Sequence, residues 1–100
     1  MKKEYTVELL STAEEEMTEA FEWYEEQQIG LSVKLFEEIT YYLGLISAKP
    51  LHFPIRFNDN HVAVLKKFPY LIVYKIDELS QTIFVNAFFH TSRNPKKLDR

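Results

Sequence analysis

The spacing of apolar residues changes from helical to alternating at Pro50, and that change limits the folds open to this chain. From Ala13 to Pro50 apolar residues recur with the period of a helix; after it they alternate like a strand. Ala13, Met17, Ala20, Phe21 and Tyr24 fall on one helical stripe, with Glu14, Glu15, Glu19, Glu22, Glu25 and Glu26 on the other face. Ser11-Thr12-Ala13-Glu14 reads as a capping box that starts this helix. Gly30 suits the left-handed stop after it. Leu31, Leu35, Ile39, Leu43 and Ile46 form a second stripe, widened by Phe36 and Tyr42, which Pro50 ends. So short a link predicts an antiparallel helical hairpin.

Tyr5-Thr6-Val7-Glu8-Leu9 alternates like a half-buried strand. After Pro50, Phe53, Ile55 and Phe57 alternate with Pro54 and Arg56, and Asn58-Asp59-Asn60 is turn chemistry. Strands are expected over 61–67, 70–76 and 82–89, with Asp77-Glu78-Leu79-Ser80 turning the chain. A meander of antiparallel hairpins is the simplest path, with the first strand at its edge or beside a neighbour. The expected order is β-α-α-β-β-β-β over one domain, residues 1–100. This is an α+β fold with a helical hairpin on one face of a twisted, mainly antiparallel sheet.

One hundred residues, 46% of them apolar, can bury roughly two-thirds of the unfolded surface around one core. The absence of cysteine excludes a disulfide framework and a cysteine-ligated zinc site, and suits the cytoplasm. No signal peptide follows Met1-Lys2-Lys3-Glu4-Tyr5, and no apolar run is long enough to span a membrane. His52, His61 and His90 lack metal-site spacing, and no glycine-rich phosphate loop exists, so neither metal nor cofactor is expected.

The net charge of −3 conceals an asymmetry. Residues 1–50 hold four lysines against eleven glutamates, and residues 51–100 hold eight Lys/Arg against four Asp/Glu. The second half could therefore carry a basic working face, while the overall acidity argues against strong non-specific nucleic-acid binding. Strand alternation puts Ile83, Val85, Ala87 and Phe89 on one face of the last strand and Phe84, Asn86, Phe88 and His90 on the other. The second set is the expected open or partner-facing side, with Phe84 and Phe88 as its apolar part. Trp23 lies off the main helical stripe, at the core rim or on a partner or dimer surface. Arg56, one of Lys66 and Lys67, His90 and Arg93 could form a cationic cluster that holds a phosphate diester. His90 could then give a proton to a leaving oxygen. Solubility and strand capping are the plainer reading of the same residues.

Three segments carry a resemblance to a known family. The run from Ala20 to Leu31 with Phe36-Glu37-Glu38-Ile39 looks like the helical hairpin of the RelE/ParE toxin superfamily. The run from Leu65 to Tyr74, with Lys66-Lys67 before Phe68-Pro69-Tyr70, resembles its basic pair and FPY strand. The segment from Ala87 to Pro95 resembles its closing H-x-x-R-x-P element, matched by His90 and Arg93. Arg56 matches only as a basic residue on the preceding strand. The resemblance implies the toxin of a bacterial type II toxin–antitoxin module, cytoplasmic and held inactive by a cognate antitoxin; it leaves a homodimer open. ParE-like members inhibit DNA gyrase, whereas RelE-like members cleave mRNA on the ribosome. The FPY and H-x-x-R-x-P elements look more like the ParE and plasmid-stabilisation side. The leading expectation is a ParE-like toxin that binds a macromolecular target, with gyrase first. An mRNA endonuclease using His90 and Arg93 is second, and a degenerate toxin kept as a binding module is third. Whether the chain is an enzyme stays open.

Overall fold

The computed structural model describes residues 4–92. Arg93, the end of the H-x-x-R-x-P element and the basic tail lie outside them. Strand β1 (Thr6–Leu9) leads into helices α1 (Ser11–Gln27) and α2 (Leu31–Ala48). Strands β2 (Ile55–Arg56), β3 (Asn60–Val64), β4 (Tyr70–Asp77) and β5 (Thr82–His90) follow. The expected element order and the helical hairpin are both present. The sheet runs β1-β5-β4-β3-β2, antiparallel except where β1 lies parallel to β5, with Thr6 beside Thr82.

The apolar stripes do what their spacing requires. Ala13, Met17 and Ala20 of α1 and Leu35, Ile39, Tyr42 and Ile46 of α2 are buried against one face of the sheet. That face supplies Ala63, Ile72, Tyr74, Ile83 and Val85, while the glutamate face of α1 stays exposed. Burial of such side chains stabilises by about 1.5–3 kcal/mol each, enough to hold helices whose isolated turns would fray. Gly30 adopts the left-handed conformation (φ 91°) between the helices, as expected.

Three local expectations are corrected. The capping box does not form: Leu10 occupies the cap, and the first turn closes through Glu14 N–H on the Leu10 carbonyl (3.0 Å). The expected strand over 61–67 ends at Val64, because the next amides turn inward to a helix side chain. Alternation along the last strand also breaks. Tyr74 pairs with Val85 but Val73 pairs with Ala87, so Asn86 is an extra residue in β5, a β-bulge. Beyond it the faces exchange. Phe88, expected on the open side with Phe84, lies in the helix-side core, 1% exposed and stacked on Tyr70 (4.6 Å). Ala87 and Phe89 move to the other face, with Val62 and Val73.

The connection from α2 to β3 is fastened from beneath. The Tyr74 hydroxyl donates to the Pro50 carbonyl (2.7 Å), and burial pushes that phenol well above its usual pKa. His61 stacks on Tyr74 (5.1 Å, 14°) and its Nδ1–H donates to the Phe53 carbonyl (2.7 Å). Segment 50–54 is thereby held as a wall beside α2.

Candidate functional site

Two surfaces collect the residues singled out by the sequence. The first is a cleft of about 1090 Å³ between α2 and the edge of the sheet. Strand β2 has only two residues and covers only the start of β3, which leaves the rest of that edge open. The cleft is lined by Arg56 from β2, Val62 and Val64 from β3, and Lys66 and Lys67 from the β3–β4 turn. Helix α2 contributes Lys34, Glu37, Glu38 and Tyr41, and the connecting segment gives His52 and Phe53.

The structure thus brings Arg56, Lys66 and Lys67 to one cavity. Both lysines line it, because they sit on a turn and not on alternating faces of a strand. Arg56 stands at the other end: it pairs with Asn60, the first residue of β3, whereas the lysines follow its last. That is about 17 Å of strand between their backbones. Sequence reasoning missed Lys34, Glu38 and His52. A signal for Glu38 was present, since it falls within the buried stripe of Leu35, Ile39 and Tyr42, where a lone carboxylate requires donors.

Those donors are backbone amides. Glu38 Oε2 accepts from Lys66 N–H (3.1 Å) and Lys67 N–H (2.8 Å), and Oε1 from Phe68 N–H (3.2 Å). A second glutamate works alike at the start of α2. Exposed Glu25 accepts from Gly30 N–H (3.0 Å), Ser32 N–H (3.3 Å) and the Ser32 hydroxyl (2.6 Å). The Ser32 hydroxyl and then the backbone amides hold its carboxyl below the usual range.

The second surface is aromatic and lies at the end of the sheet near the β3–β4 turn. His90 pairs with Tyr70 across β4 and β5 and meets its ring edge-on (5.3 Å). Tyr24 packs against Phe68 (5.1 Å) and Tyr70 (6.2 Å), with Trp23 edge-on to Tyr24 (4.8 Å) and 53% exposed. Ser92 N–H donates to His90 Nδ1 (3.2 Å), which leaves the proton of the neutral ring on Nε2. The Thr91 amide donates to the Pro69 carbonyl (2.8 Å), so the strand end is tied to the loop after the lysines. His90 is not among the residues lining the cleft. Phe84 stays on the sheet face away from the helices, half-buried between Lys75 and Glu8.

The fold is that of the RelE/ParE toxins: a helical hairpin on a five-stranded mixed sheet. Solved structures that share it come from toxin–antitoxin systems. A chain of the chromosomal ParDE system of P. aeruginosa superposes with a TM-score of 0.76 at 9% identity, over 88% of this chain and 97% of that one. The isolated E. coli RelE toxin gives 0.63 at 17% identity, over 93% and 90%. A chain of the RelBE2 complex of Mycobacterium tuberculosis gives 0.61 at 20% identity, over 90% and 94%. No protein-family model and no curated protein sequence matches the chain.

Proposed function

We propose that this protein is the toxin of a type II toxin–antitoxin module and acts by binding, in the ParE-like manner. Its target is a macromolecule in the cytoplasm, DNA gyrase first, and a cognate antitoxin neutralises it. The toxin–antitoxin part draws on the shared fold and on the systems from which the similar structures come. The choice of binding over cleavage draws on one observation: His90 is not among the residues that line the basic cleft. A nuclease needs its proton donor within hydrogen-bond reach of the phosphate that its cations hold. Among the described residues, Lys34, Arg56, Lys66 and Lys67 line the α2–β3 cleft, while His90 faces Tyr70 and engages Ser92 through Nδ1.

Expression of the chain alone in bacterial cells tests the reading. The expected result is growth arrest with relaxed plasmid DNA and intact ribosome-bound mRNA, unchanged by His90→Ala. Cleaved mRNA that His90→Ala abolishes would overturn it in favour of a ribosome-dependent endonuclease. Unimpeded growth would leave a binding module without toxicity.

A further inference from the structure

The β3–β4 turn is built around a carboxylate that is not its own. Three successive amides, of Lys66, Lys67 and Phe68, converge on Glu38, which is 8% exposed. Consecutive amides in a concave turn make an anion-binding nest, and here α2 supplies the anion. With the amides turned inward, Lys66 and Lys67 are both exposed and both line the cleft. An extended strand would have sent them to opposite faces.

We propose that Glu38 is the positioning residue of the basic cleft: it fixes Lys66 and Lys67 on the rim, where they receive the carboxylates of an acidic, amphipathic polypeptide. The inference deepens the binding reading above and rests on it. Lys34, Arg56, Lys66 and Lys67 line the cleft; Glu38 is committed to the turn, so among the described residues Glu37 is the one other carboxylate in the lining. The same cleft is lined by Leu31, Leu45, Phe53 and Val64, the last 54% exposed. A phosphodiester strand would meet the cations and leave this apolar floor wet. A segment with leucine-like side chains on one side and carboxylates on its flanks satisfies both.

The test uses the full chain and a fluorescein-labelled peptide of repeated Leu-Glu-Glu-Leu, beside an oligothymidylate of equal charge. The peptide is expected to bind more tightly than the oligonucleotide. The double variant Lys66→Ala/Lys67→Ala should weaken peptide binding about tenfold. Glu38→Gln should weaken it by a similar factor, yet add nothing in the lysine-free background, while it lowers the melting temperature equally in both. A purely structural role would not give that non-additivity. Glu38→Asp keeps the charge on a shorter arm and should weaken binding about threefold, which serves if the glutamine variant does not fold. If Glu38→Gln and Glu38→Asp lower the melting temperature but leave peptide affinity unchanged, Glu38 does not position the lysines. Tighter binding of the oligonucleotide, or no peptide binding by the wild type, overturns the acidic-polypeptide partner. Loss of the toxin reading appears separately, as normal growth and normal supercoiling in cells.

Discussion

Two turns of this molecule are held by glutamates from elsewhere in the chain, and they differ in how much water reaches them. At the α1–α2 turn, exposed Glu25 gathers the amides of Gly30 and Ser32. At the β3–β4 turn, buried Glu38 gathers those of Lys66, Lys67 and Phe68. The bonds are similar in length but not in consequence. Water can replace the Glu25 carboxylate at little cost. At Glu38 the bonds are buried or part-buried, so losing the carboxylate leaves donors that water satisfies less well. The exposed glutamate shapes a hairpin, whereas the buried one decides where two cations stand.

The sharpest way to break this contrast is Glu38→Ala. It should cost about 3 kcal/mol, a fall in Tm of about 15 °C for a domain of this size, read by thermal denaturation. A loss no larger than that of Glu25→Ala would erase the distinction. A smaller effect of opposite sign is expected at a turn that no glutamate holds. Phe57, Asn58 and Asp59 between β2 and β3 all have positive φ (54°, 57° and 68°). Asparagine and aspartate tolerate this region and phenylalanine does not, so Phe57→Asn should raise stability by about 1 kcal/mol in urea unfolding. The smallest effect belongs to Glu25. Its carboxyl is lowered from 4.5 in the folded state, so its contribution is present above that pH and fades as pH falls through the folded value. The Tm gap between wild type and Glu25→Gln should therefore be widest near neutrality and close in acid. A gap that is constant with pH would assign the effect to hydrogen-bond geometry and not to charge.

The hairpin and the order of elements along the chain were legible because they follow from apolar spacing, which each element carries within itself. Leu35, Ile39 and Ile46 are buried as their period requires. The candidate site was less legible because its geometry depends on contacts between elements. No local pattern announces that Asn86 is a bulge, yet that one residue moves Phe88 from the open side into the core. Nor does alternation reveal that β3 stops at Val64, which puts Lys66 and Lys67 on one rim. Arg56 was singled out as a charge in an otherwise apolar strand; that it lies on the two-residue β2 and lines the cleft, with its backbone at the far end of β3 from the lysines, appears only in the pairing with Asn60.

The parallel pairing of β1 with β5 has a consequence for synthesis. Thr6 must wait for Thr82, so the β1 edge of the sheet cannot close until β5 has been made. The helical hairpin joins neighbouring residues, but its apolar stripes pack on the sheet and stay uncovered until those strands arrive. In a growing chain β5 is therefore the strand that ties the first element to the rest.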